Sequence, residues 1–214
     1  MRSVRVFYKK YGNMKFVSHL DMNRFMIRMV RMSGIPVWYS EGFNPHPYIT
    51  FALPLSLGFE SDWEAMDIRL DKDEYANAEV LSALKPLMPD GLDIFGCDDP
   101  LMKAGDIAFA DYAISFGDVF EQFYDKLEKF LSNDVIETEK RTKKGGLKTI
   151  DIKEFIKDFK FADDGILFTL AAGGSNNLNP KLILDAFEKK SEVSLPPYSV
   201  KRTALYNSQM EIYK

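Results

Sequence analysis

The sequence predicts an α+β protein made of two tandem ferredoxin-like halves with antiparallel sheets, residues 1–107 and 108–214. Three observations lead there. Alternating apolar runs and amphipathic runs follow one another in the order β-α-β-β-α-β. Nearly the same order recurs after residue 108. The length, 214 residues, suits two domains of about 100 residues each.

"SVRVFYKKYG" sets Val4, Val6 and Tyr8 against Arg5 and Phe7, the period of a strand. "SHLDMNRFMIRMVRMSG" predicts a helix. Ser18 suits its N-cap, Asp21 its positive end, and Gly34 its C-terminal stop. Along that helix Met22, Met26, Met29 and Val30 share one side, as core side chains do. Arg24, Arg28 and Arg31 share the opposite side. "IPVWYSEGF" predicts a strand running into a loop. "YITFALPLSLGFESDWEAMDIRLD" holds a further extended region, in which "WEAMDIRL" alternates as a strand. "YANAEVLSALKPLMP" is a helix with a late proline, and "GLDIFGCDD" a closing strand.

The second pass begins after the turn-like "DPLMKAGD". "ADYAISFG" predicts a strand and "VFEQFYDKLEKFLSN" an amphipathic helix. "VIETEKRTKKGGLKTIDI" predicts a hairpin turning near Gly145 and Gly146. "GILFTLAAG" is a strand, and "NPKLILDAFEKKS" a helix with Asn179 as cap and Pro180 at its first position. "YSVKRTALY" is the last strand.

Composition narrows the class. Apolar residues make up 46% and charged residues 28%, the balance of a folded domain. No run of about 18 apolar residues suggests a membrane span. The basic, alternating N-terminus lacks the apolar core of a secretory signal. One cysteine cannot close an internal disulfide, so a cytoplasmic protein is expected. Two His and one Cys are too few for a closed zinc site or an iron–sulfur cluster. No P-loop, G-x-S-x-G or H-E-x-x-H occurs. No metal and no cofactor is expected.

The net charge of −4 is unevenly spread. Residues 1–48 carry eight Lys/Arg against two acids, whereas residues 49–111 carry four against fourteen. A basic segment in an acidic chain points to an anionic partner or to pairing between the two segments.

The candidate ligand site centres on "SEGFNPHP". Gly42 permits a backbone conformation other residues avoid. Pro45 and Pro47 stiffen the loop and push Asn44 and His46 towards extended conformations. Tyr39 and Phe43 offer flat apolar surfaces. The expected RNA- or ligand-binding set is Arg24, Arg28, Arg31, Tyr39, Ser40, Glu41, Gly42, Phe43, Asn44 and His46, extended by Lys143 and Lys144 of the basic hairpin. Guanidiniums fork to phosphates, and aromatics stack on bases. Each feature also has a plainer use, as a solvated helix face, a core-filling aromatic or a charged sheet edge. His19 and His46 are the candidate catalytic pair. Asp21 is no partner for His19, because helical residues two apart point about 200° away from each other.

Residues 16–68 resemble a known family. The run S-H-L-D, then Arg24, a helix ending in G-x-P, S-E-G-F-N-P-H-P and P-L-x-x-G-x-x-S is similar to that of the bacterial radical-SAM-linked family of unknown function. "KRTKKGGLKTIDI" and "YSVKRTALY" resemble that family's second half. Members are often encoded beside, or fused to, a B12-binding radical SAM protein, so the resemblance implies such a partner. It implies no established activity. The tandem layout also resembles that of CRISPR RNA-processing endonucleases, an analogy of fold alone.

The expected function is a non-catalytic RNA-binding or substrate-presenting accessory to a radical SAM enzyme. One alternative is a metal-independent ribonuclease using His19 and His46. Another is a protein-docking module for the radical SAM partner.

Overall fold

The computed structural model describes residues 2–141, 146–174 and 176–214. The chain runs β1 (Ser3–Lys10), α1 (His19–Met32), β2 (Ile49–Phe51), β3 (Glu60–Arg69), α2 (Asn77–Leu84) and β4 (Leu92–Asp98). It continues as β5 (Ile107–Ser115), α3 (Tyr124–Leu131), β6 (Glu137–Arg141), β7 (Leu147–Asp151), β8 (Ile156–Ala162), β9 (Gly165–Ala171), α4 (Pro180–Ser191) and β10 (Ser199–Asn207). The protein is mixed α+β, with mostly antiparallel strand pairing. Two compact units form: Met1–Ile107 together with Arg202–Lys214, and Ala108–Lys201. Among the described residues no helix is long and apolar enough to cross a membrane.

In the first unit β1 lies between β3 and β4, and β3 also pairs with β2 and β10. One face of β1 carries Val4, Val6 and Tyr8. These pack with Met22, Met26 and Val30 of α1, Val80 and Leu84 of α2, and Met66, Ile68 and Ile94 of the sheet. The methionine stripe of α1 is therefore core. Ser18 caps α1 by accepting from Asp21 N, and Gly34 follows its end at φ +72°.

The opposite face of β1 is covered too. Arg5 forks to Asp67 at 2.7 and 2.8 Å and donates to Lys214 O at 2.8 Å. Its guanidinium lies 4.3 Å from the Tyr213 ring centre. Trp63 packs on Phe7 and Phe95, and its Nε1 donates to Tyr213 O. Burial drives the Tyr213 phenol up to about 12. A group whose folded pKa is raised stabilises the fold below its unfolded pKa, and that contribution fades as pH climbs to the folded value. Stability is thus expected to fall between pH 10 and 12 in alkaline melts. Tyr213→Phe should flatten that fall.

A second buried charge pair joins β3 to β10. Arg202 donates to Glu64 at 2.6, 2.6 and 3.0 Å and to Leu53 O at 2.9 Å. Their side chains are 1% and 5% exposed, so the pair is shut off from water. Burial, then the nearby Glu64 carboxylate, raises the Tyr8 phenol well above its ordinary value. Lys10 is also buried and donates to Val17 O at 2.9 Å; burial lowers its pKa.

Ion pairs between the two segments take up part of the charge asymmetry. Arg2 meets Asp99, Arg5 meets Asp67 and Lys15 meets Glu60, each a basic residue of the first segment with an acid of the second. Among the described residues the α1 arginines make no such pairing.

Several elements differ from the sequence expectation. Residues 35–43 form no strand; Val37 and Tyr39 make isolated bridges to Leu70 and Pro47. Proline has no N–H for a ladder, so Pro36, Pro45 and Pro47 leave this pairing incomplete. The helix expected from Val119 is split into a 3-10 turn, Gly117–Gln122, and α3. Phe116, Phe120 and Phe123 pack ring against ring there, at 5.0 to 5.6 Å between centres. Helix α2 stops at Leu84, one residue before a short 3-10 turn that holds Pro86.

In the second unit β9 lies between β5 and β8. Strand β8 was not expected. Its "IKDFKFA" is half polar, and it joins β9 through the tight turn at Asp163 and Asp164. Strands β6 and β7 pair as a separate ribbon, with Glu137 opposite Asp151. Lys143 and Lys144 lie outside the described residues. Helix α4 begins as expected, with Asn179 accepting from Lys181 N and Pro180 first. Phe130 of α3 packs on Phe187 of α4 at 5.5 Å.

Candidate functional site

The segment from Val37 to Tyr48 is a short, braced hairpin. At its base Trp38 N donates to Arg69 O, Tyr48 N to Trp38 O, and Arg69 N to Tyr48 O, at 2.9 to 3.1 Å. These bonds anchor the hairpin to the end of β3. One step out, Ser40 N donates to His46 O at 2.9 Å, and His46 N donates to Ser40 Oγ at 3.3 Å. The His46 ring turns inward: Nδ1 lies 3.0 Å from Asn44 O and 3.1 Å from Ser40 Oγ. A proton on Nδ1 bonds Asn44 O, which makes the ring a strut of the loop.

Glu41, Gly42, Phe43, Asn44 and Pro45 form the exposed tip. Gly42 has φ +124°, a region that side-chain-bearing residues rarely enter. Phe43 follows it and is 104% exposed, so its ring stands wholly in solvent. A large aromatic so placed gains nothing from burial within this chain. The proline-braced loop spares a ligand the cost of ordering it.

Helix α1 runs alongside. Arg31 Nη2 donates to Pro45 O at 3.0 Å, tying the helix to the tip. Arg28 is exposed and makes no hydrogen bond among the described residues. Among the described residues Arg24 meets Asp21 alone, at 3.3 Å and largely in solvent, a pairing worth at most about 1 kcal/mol. The cationic face and the loop therefore converge through Arg31.

The hairpin base holds a feature the sequence did not suggest. The Arg69 guanidinium lies 4.8 Å from the Trp38 ring centre and 5.9 Å from that of Tyr48. Trp38 and Tyr48 meet edge to face at 5.4 Å. Arg69 is one of four basic residues in the acidic 49–111 segment, and that isolation was its one signal.

The histidines do not make a pair by any contact among the described residues. His19 packs its ring edge-on against Phe51 at 5.0 Å, while His46 bonds within its own loop. Cys97 is pushed up to about 12 by burial and Asp98, which disfavours a thiolate. No group of three His, Cys, Asp or Glu able to hold a metal occurs among the described residues. This arrangement can stack a flat group on Phe43 and hold an anion on Arg28 and Arg31.

A family described as an uncharacterized protein conserved in bacteria matches residues 3–180. No curated protein matches the chain.

Proposed function

Given that the chain belongs to the bacterial family DUF2344, we propose that it is a non-catalytic RNA-binding accessory of a radical SAM enzyme, gripping single-stranded RNA on the 38–48 hairpin. The fully exposed Phe43 on a braced loop carries this proposal. A base stacked on it would lie beside Arg28 and Arg31, whose guanidiniums would meet the adjoining phosphates.

The strand order β4-β1-β3-β2 of the first unit supports a ferredoxin-like half. The order β5-α3-β8-β9-α4, with the β6–β7 ribbon inserted, supports the first five elements of a second. The radical SAM partner and the cytoplasmic setting rest on the family resemblance and the cysteine count.

Docking on that partner is the second reading. It is favoured by Phe16 and Leu57, 66% and 63% exposed. Gly58 N donates to Lys15 O at 2.8 Å, which brings their segments together. Cleavage by His19 and His46 has no such support.

Filter binding of a short unstructured RNA separates these. RNA binding should weaken steeply with salt. Arg24→Ala/Arg28→Ala should flatten the log–log slope by about 0.7 for each phosphate no longer neutralised. A slope near zero in the wild-type protein would sink RNA binding. Co-purification of the radical SAM protein that survives high salt would favour docking, because apolar contacts are little screened.

A further inference from the structure

The second unit holds a cleft of about 350 Å³ between the C-terminal ends of α3 and α4, lined by Lys126, Lys129, Phe130, Asn133, Lys190 and Ser191. We propose that it binds an organic phosphate of at least two negative charges, of the size of a nucleoside diphosphate.

Charge is the first support. Three ammonium groups line the cleft and, among the described residues, no acid does. Lys126, Lys129 and Lys190 are exposed and form no ion pair among the described residues, although the neighbouring Lys189 meets Glu139 at 2.8 Å. Such unpartnered like charges repel one another, and an anion placed among them relieves that repulsion.

Lysines near helix ends commonly serve the last carbonyls. At the end of α3 those carbonyls have other partners. Asn133 Nδ2 donates to Lys129 O at 3.1 Å and to Phe130 O at 2.8 Å. Ser132 Oγ donates to Glu128 O at 2.8 Å, and Ser191 Oγ to Phe187 O at 2.6 Å. The ammoniums are thus left for a ligand. Two helix C-termini bring a partial charge of about −0.5 each, which three full positive charges outweigh.

The floor supplies the second support. Phe130 lines the cleft among these cations. Its ring is 6% exposed, so it offers a base or sugar a small apolar contact while the lysines hold the phosphates. Lysine meets phosphate as a flexible point charge, so the site would favour charge number over a fixed phosphate geometry.

Calorimetric titration of the full chain with ADP, AMP, adenosine and pyrophosphate tests this. ADP should bind more tightly than AMP, and adenosine should give no signal at about 1 mM, the weak limit of ordinary ligand affinity. Pyrophosphate should bind more weakly than ADP, because it lacks the group that meets Phe130. Lys126→Gln/Lys129→Gln/Lys190→Gln should weaken ADP by about 10-fold or more, while its melting curve stays that of the wild type. Absence of ADP binding, equal affinity for adenosine, or full ADP affinity in the triple variant would each overturn the proposal. Arg24→Ala/Arg28→Ala should leave ADP affinity unchanged, which keeps this outcome separate from that at the hairpin.

Discussion

Arg202→Met is expected to destabilise the protein by about 3–5 kcal/mol, seen as a lower urea midpoint at an unchanged slope. The cause is what the substitution leaves behind. Glu64 would stay buried with its guanidinium partner gone, deprived of bonds of 2.6, 2.6 and 3.0 Å. Leu53 O would be without its 2.9 Å donor as well. Truncating one partner costs far more than the pair contributes over an apolar substitute, because the desolvation of the orphaned charge is uncompensated. Arg202→Met/Glu64→Leu should therefore recover most of the stability. A single variant within about 1 kcal/mol of wild type would show that water reaches Glu64 and that the pair is not sealed.

Phe43→Ala is expected to weaken RNA binding by about 5- to 150-fold, the range for one stacked base at about 1–3 kcal/mol. Thermal stability should stay within about 0.5 kcal/mol, because the ring makes no burial inside the chain. Phe43→Trp should keep or raise affinity, since any flat aromatic face can stack. Phe43→Leu decides between stacking and docking. Loss of RNA binding in Phe43→Leu supports a stacked base. Full binding in Phe43→Ala would remove Phe43 from the RNA site and shift weight to the docking surface around Phe16 and Leu57.

The hairpin site was partly legible. Gly42, Pro45 and Pro47 punctuate a short stretch, and their backbone effects act within one or two residues. The inward turn of His46 was not legible, because it depends on Ser40 Oγ and Asn44 O closing around one ring. The expectation that His19 and His46 serve one reaction required the start of α1 and the proline-braced loop to meet across the fold. Their separate partners, Phe51 and the loop itself, follow from where β2 and the hairpin settle.

The amino-acid sequence by itself determined the local elements of this protein: the Ser18 cap and methionine face of α1, the stiff turn at 42–47, and the start of α4 at Asn179 and Pro180. Periodicity, capping and proline restraint act over a few residues, so they can be read along the chain. Tertiary structure alone decided which charges are internal. Arg5 and Arg202 look like surface residues in an alternating strand, yet Asp67 lies 62 positions from Arg5 and Glu64 lies 138 from Arg202. Tertiary structure alone also set Arg69 beneath Trp38 and Tyr48, and grouped Lys126, Lys129 and Lys190 at one cleft. A charge's meaning depends on what lies within a few ångströms of it, and only the folded chain establishes those distances.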